Sequence, residues 1–373
     1  MPSNITAYEW PLNGTTHIAY ETGDNHIHEM ATGQDERWRD DDVTRVAGGP
    51  ELEDAIITGY IWPDGRTRQI AYASSISNNG HIHELVMLQD HPWSYEDIMA
   101  QPTGAPSADG FTLVGYASKA AGTKQVVYTG PDDHIHELST GVTGMWRYTD
   151  LTQVTGSPLA ESETLAAYAW ETRRSRQVVY SSGDGHIHEL MLEVGGTWSH
   201  TDLTDFAGAP LADGSSLVGF AWEAGSTKQV IYTDINGNIY ELVAGPDNMW
   251  RYADLTSLTG SPLVGGTALA GYAWETGEAK LIAYVGSDRH VHELMMDANG
   301  KGKWQHTDLT RLVRSPEAGN DVLAGHEWTP QFAKHVVYLD ASKNPHIHSL
   351  MLKHGGSWHH RDLTDLTGAP PLV

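Results

Sequence analysis

The sequence predicts an all-β fold, a seven-bladed β-propeller with four antiparallel strands per blade, and three observations predict it. First, the pentapeptide His-Ile-His-Glu-Leu stands complete at 81–85, 134–138 and 186–190, and variants of it begin at His26, Asn238, His290 and His346. The first residues of these seven copies lie 55, 53, 52, 52, 52 and 56 positions apart, a period that marks a repeat array. Second, every apolar run inside a unit is short, rich in β-branched or aromatic residues and bounded by Gly, Asp or Pro, which reads as strand. Third, all 13 tryptophans fall at two places in the unit. Trp10, Trp62, Trp170, Trp222, Trp274 and Trp328 end the first strand, with Ser118 in repeat three, and Trp38, Trp93, Trp146, Trp198, Trp250, Trp304 and Trp358 open the fourth.

Repeat four shows the elements in order. A first strand at 165–170 runs through small residues to Trp170, and a polar connector leads to a second strand ending at Tyr180. The turn Gly183-Asp184-Gly185 delivers the pentapeptide strand at 186–192, and Gly195-Gly196 turns the chain into a fourth strand from Trp198 to Thr204. Tyr20, Tyr72, Tyr128, Tyr180, Tyr232, Tyr284 and Tyr338 close the second strand in all seven units. No window of helical length keeps a 3.6-residue period between these turns. Repeat five carries Asn236-Gly237 before its third strand, the pair favoured by type I′ hairpins. The first strand has the smallest side chains, so it belongs next to the propeller axis, where strands converge.

Seven units of about 53 residues use the whole length, so a single domain spanning 1–373 is expected. Its repeats are approximately 1–48, 49–104, 105–156, 157–208, 209–260, 261–314 and 315–373. Six repeats follow a Gly/Pro connector, from Gly48-Gly49-Pro50 to the looser Arg314-Ser315-Pro316, and repeat one has none. The chain ends on Gly368-Ala369-Pro370-Pro371-Leu372-Val373. This tail is expected to pack beside blade one, supply the missing connector and close the ring.

Charge narrows the partners. Lys and Arg number 23 against 48 Asp and Glu, a net charge of −25 with histidine neutral, and such a surface repels phosphate backbones and anionic membranes. Neither nucleic acid nor membrane insertion is expected. Cysteine is absent, which removes disulfides and thiolate metal sites. Residues 1–4 lead straight into repeat one with no visible signal peptide or membrane-spanning run. A cytoplasmic location, or release by a non-classical route, is expected.

The pentapeptide divides by strand alternation. Its two histidines share one face and its glutamate occupies the other. Two imidazoles roughly 7 Å apart along a strand can hold one metal ion if a third ligand joins them. His200, His306 and His360, two residues after the fourth-strand Trp, supply that third ligand in three blades. The alternative metal sets are therefore His186, His188 and His200; His290, His292 and His306; and His346, His348 and His360, with a divalent transition metal as the cofactor. At the same fourth-strand position stand Asp40, Tyr95, Tyr148 and Tyr252, an interchange that suits histidines serving as amphipathic packing residues. No cofactor is otherwise expected.

The glutamate carries the leading functional reading. Glu29, Glu84, Glu137, Glu189, Glu241 and Glu293, with Ser349 in the seventh copy, can each accept hydrogen bonds from vicinal hydroxyls. An indole nearby offers its face to the apolar side of a sugar ring. No nucleotide loop or nucleophile elbow is present, and equal repetition argues against a unique active site. The Asp-Leu-Thr motifs at Asp150, Asp202, Asp254, Asp308 and Asp362 read as turn or strand-end hydrogen bonding.

The pattern small-x-x-Trp, Val-Val-Tyr, Asp-Gly-x-Ile-x-Glu-Leu and Gly-Gly-x-Trp resembles the repeat of the fucose-binding β-propeller lectins, across all seven units. The resemblance implies a glycan-binding module with sites between blades. It implies sugar contacts from the six glutamates and from Trp38, Trp93, Trp146, Trp198, Trp250, Trp304 and Trp358. The arginine of that repeat has no counterpart two residues before the Tyr, where Ile18, Ile70, Val126, Val178, Val230, Ile282 and Val336 stand. The Trp three residues after the glutamate is replaced as well, by Leu192 in repeat four. A multivalent carbohydrate-binding propeller with glycan or glycoconjugate partners, compatible with homo-oligomerisation, is the leading expectation. A metal-binding protein and a ligand-free scaffold are the alternatives.

Overall fold

The computed structural model describes residues 5–52, 56–73, 80–108, 112–160, 164–298, 302–370 and 372. Residues 1–4, where the leader reading falls, and Pro371 and Val373 of the tail lie outside them. Seven sheets of four antiparallel strands follow one another along the chain. Blade four is formed by Leu165–Trp170, Ser175–Ser181, Ile187–Glu193 and Ser199–Asp202. The first strand of each blade lines an axial channel of about 640 Å³, so the smallest strand is innermost, as its side chains require. Among the described residues no helix is long and apolar enough to cross a membrane.

Small residues on the inner strand are demanded by the neighbouring blade. A Cβ on Gly59 would lie 2.3 Å from the Tyr8 ring, and one on Gly325 would lie 2.4 Å from Tyr272. A tyrosine of one blade thus sits flat against the backbone of the next. Larger side chains there would force the blades apart.

The Asp-Leu-Thr motif does more than end a strand. In five blades its aspartate caps a five-residue helix, such as Leu203–Ala207 behind Asp202, and Asp42 does the same for Val43–Ala47 in blade one. These helices correct the strand-only expectation, since five residues are too few to show a period. The leucine is fully buried at Leu151, Leu203, Leu255, Leu309 and Leu363. The threonine accepts the first N–H of the third strand, as in Ile187 N to Thr204 Oγ1 at 3.2 Å. Motif and pentapeptide are therefore bonded to each other.

The second-strand tyrosine clamps the connector that enters its blade. Tyr72, Tyr128, Tyr180, Tyr232, Tyr284 and Tyr338 donate to the carbonyls of Pro50, Pro106, Pro158, Pro210, Pro262 and Pro316 at 2.6–3.1 Å. In blade one, which lacks the connector, Tyr20 donates to Asp40 Oδ1 at 2.7 Å instead. The hairpin at Asn236-Gly237 also differs from expectation. Only Gly237 has positive φ (79°), and its N–H closes a turn on the Asp234 carbonyl. A turn with one left-handed residue at its end replaces the type I′ pair.

The last blade takes all four of its strands from the seventh repeat, so the ring closes by packing. The inner strand Ala318–Trp328 lies against Ile5–Trp10. The Thr329 N–H and hydroxyl both donate to the Glu9 carboxylate, at 2.6 and 2.8 Å. This continues a chain of carboxylates that runs from Glu171 through Glu223 and Glu275 to Glu327, each accepting backbone N–H groups of the preceding blade. Ala369 and Leu372 pack on a cluster shared by Ile5, Ile18 and Tyr20 of blade one and Val337 and Leu363 of blade seven. The tail thus sits at the seam, although Tyr20 does not clamp it. Removing 368–373 is expected to lower Tm by about 2–4 °C, the scale of one partly buried leucine; calorimetry of the truncated chain measures it.

Candidate functional site between the blades

The pentapeptide glutamates all face the cleft between their own blade and the next, and each meets a cation there. Glu29 pairs with Arg68 and Glu84 with Lys124 in short contacts. Glu137 pairs with Arg176 at 3.2 Å, Glu189 with Lys228 at 2.6 Å, Glu241 with Lys280 at 2.5 Å and Glu293 with Lys334 at 2.7 Å. All twelve residues are buried, and Lys228 is 0 % exposed. In the first two clefts an inner-strand tyrosine, Tyr8 or Tyr60, also donates to the carboxylate.

No arginine stands two residues before the conserved Tyr, but the second strand does carry a cation four residues before it, on the same strand face one step further back. The signal was present in the sequence as a Lys or Arg at that place in repeats two to seven, with Thr16 in repeat one. It was missed because each cation serves the previous repeat and because a lysine is read as exposed.

Tryptophan walls enclose the pair. Arg68 lies 5.1 Å from the Trp10 ring and 4.5 Å from Trp93. Lys124 lies between Trp62 and Trp146, Lys280 between Trp222 and Trp304, and Lys334 between Trp274 and Trp358, all at 5.0–5.9 Å. Arg176 meets Trp198 alone, its other wall being Ser118, and Lys228 lies 4.9 Å from Trp250. Cation–π attraction and the carboxylate together offset the cost of burying each charge. Trp93, Trp146 and Trp250 are buried, whereas Trp38, Trp198, Trp304 and Trp358 are partly exposed at the cleft mouth.

The local field differs from cleft to cleft. Burial alone would raise Glu29, but His17 and Arg68 hold its carboxyl down at about 2. Burial lifts Glu137 to about 6 against the pull of the more distant Arg176. At Lys334 burial depresses the ammonium despite Glu293.

The histidines of the pentapeptide take two separate roles. The first of each pair points its Nδ1 at the aspartate that ends the fourth strand, as in His186 to Asp202 and His346 to Asp362, both 2.8 Å. His290 does the same with Asp308 at 2.9 Å. The second is buried, stacks on the second-strand tyrosine and bonds the fourth strand. His188, His292 and His348 meet His200, His306 and His360 with nitrogen–nitrogen distances of 3.1, 3.0 and 2.9 Å. The two histidines of a pair therefore turn their nitrogens to different partners. Among the described residues, the groups that bring three ligand atoms within 4.8 Å of one another are Asp24, His28 and Asp42; Asp288, His290 and Asp308; and His346, Asp362 and Asp365. The three-histidine sets do not converge in this way.

Burial lowers His83 and His188 to about 4 each. Both stay neutral in the fold while their unfolded counterparts titrate near 6.5, so the unfolded chain binds protons first as pH falls. Stability from these residues is complete above about pH 6.5 and is lost as pH drops toward 4. Tm is expected to fall across that window, and less steeply in the double variant His188→Tyr with His200→Tyr, which copies Tyr240 and Tyr252 of blade five. Parallel melts from pH 7 to 4 compare the slopes.

The ion pairs make a sharper prediction. Lys228→Met leaves Glu189 buried without a partner and is expected to cost about 3–5 kcal/mol. Lys228→Thr with Glu189→Ser, the combination nature uses at Thr16 and Ser349, is expected to recover most of that loss. Denaturant unfolding of the single and double variants reads the difference.

No family model and no curated protein matches the chain. Solved structures do. The BP39L lectin of Burkholderia pseudomallei superimposes with a TM-score of 0.73 at 12% identity, covering 100% of this chain and 99% of that one. The AofleA protein of Arthrobotrys oligospora gives 0.54 at 12%, with 83% and 86% covered. The six-bladed fungal lectin of Aleuria aurantia, described as having a novel fucose recognition mode, gives 0.56 at 16%, with 82% and 94% covered. The chain is thus a seven-bladed propeller built on the same architectural plan as the fucose-binding propeller lectins.

Proposed function

We propose that this protein is a lectin that binds glycans at the clefts between its blades. The observation that carries the reading is the recurrence of one tryptophan-walled cleft around the ring of a fold whose solved relatives include lectins over their whole length. The partly exposed indoles of Trp38, Trp198, Trp304 and Trp358 would be offered to the apolar face of a sugar, whereas Trp93, Trp146 and Trp250, being buried, would offer theirs only once the cleft opens. The carboxylates of Glu29, Glu84, Glu137, Glu189, Glu241 and Glu293 would be the acceptors at the base. Because a buried cation already engages each carboxylate, a sugar hydroxyl must share that acceptor, and each site would be weak. Useful affinity then comes from several sites engaging one glycan-bearing surface.

A glycan array probed with the intact protein tests this. Retention of a restricted set of neutral glycans, with surface avidity about 10²-fold or more above the affinity of the free monosaccharide, is expected. Failure of every printed glycan to retain the protein would overturn the reading.

A further inference from the structure

One cleft of the ring breaks the plan at three positions together. Between blades seven and one, Ser349 stands for the glutamate, Thr16 for the cation and His326 for the inner-strand tyrosine. Thr16 Oγ1 and His326 Nε2 bond each other at 2.6 Å across the seam. The walls remain: Trp328 corresponds to Trp10, and Trp38 to Trp93. A recess of about 10 Å³ between them has room for one water-sized group. His335 lines this recess. It is 1 % exposed, and neither of its ring nitrogens has a hydrogen-bond partner among the described residues.

From this geometry we infer that the seam cleft is the distinct glycan pocket of the ring, taking one hydroxyl of a neutral sugar between Trp38 and Trp328. The inference rests on the lectin reading and sharpens it. A neutral imidazole presents one N–H donor and one nitrogen acceptor on opposite edges of the ring, and a hydroxyl, which both donates and accepts, can bond whichever edge faces the recess. Two buried nitrogens left unbonded are costly, so the pocket favours an occupant with that hydrogen-bonding pattern over an apolar one.

The charges around the recess select against ions. With serine at 349, Glu36 is the one carboxylate among the described residues that line the recess. At the mouth Glu36 is bound by Lys353 at 2.6 Å and by Arg361 at 2.5 Å, which leaves one excess positive charge. Burial first, then the neighbouring His326 and the charges of Arg361 and Lys353, hold His335 well below the usual imidazole range, and the same charges oppose a second cation. An anion would have to give up its hydration for a neutral imidazole, because both basic groups already hold Glu36. The other six clefts fill the same slot with their own lysine or arginine.

The test uses the full chain and a panel of methyl glycosides of fucose, galactose, mannose and glucose. Binding is followed through the indole N–H signals of Trp38 and Trp328 and by calorimetry. Thr16→Lys with Ser349→Glu and His326→Tyr rebuilds the seam as an ordinary cleft, its recess filled by the new lysine, and is expected to reduce the response of those two indoles to the level of the tryptophans in the other clefts. His335→Phe, which keeps the ring and removes both nitrogens, is expected to weaken the site about tenfold, the scale of a lost hydrogen bond. A glycoside that shifts the Trp38 and Trp328 indoles of the rebuilt variant as strongly as those of the parent, or that shifts only tryptophans of other clefts, overturns the seam inference and leaves the lectin reading standing. If no glycoside binds the parent and no glycan on the array retains it, both fall.

Discussion

The buried pairing of a glutamate on one blade with a lysine or arginine on the next is the interaction on which the ring depends. Each pair spans two repeats, so neither member is satisfied until two blades have met. A lone charge in that position costs several kcal/mol, while the complete pair is close to neutral against an apolar replacement. The pairs therefore specify how blades meet more than they stabilise the meeting. The indoles on either side exclude water and offer the cation a second attraction, which turns six similar clefts into six similar keys.

Around this interaction the rest of the blade is arranged to fix distance and angle. The inner-strand glycines let a neighbouring aromatic ring lie flat, the second-strand tyrosine ties down the incoming connector, and the capping aspartate binds the first pentapeptide histidine. The histidines, the most visible feature of the sequence, are absorbed by this local work. Their nitrogens bond aspartate, tyrosine or a second histidine within the same sheet, and the burial of His83 and His188 is what should make the fold sensitive to acid.

The fold was legible because strand length, turn residues and the period all report on local structure within one repeat. The clefts were legible only in half. Glu189 and Trp198 could be picked out in their own unit, but Lys228 lies 39 residues from the carboxylate it serves and belongs by sequence to a strand of a different blade. Alternation within one strand cannot name a partner on another sheet. The same limit hides the meaning of Ser349, whose counterpart is Thr16 at the other end of the chain. The five-residue helices escaped for a different reason, since one turn is too short for any period and only the Asp-Leu-Thr spacing betrays it.

Because every blade presents an acceptor on one flank and a cation on the other, the blade has a direction, and copies of it join head to tail without regard to how many have already joined. Nothing in such a joint counts to seven. The number of blades must then come from the wedge angle set by inner-strand packing, and only the junction where first meets last is free to change its chemistry. A repeat protein of this kind holds its individuality at a single joint, and this chain has spent that freedom on serine, threonine and two histidines.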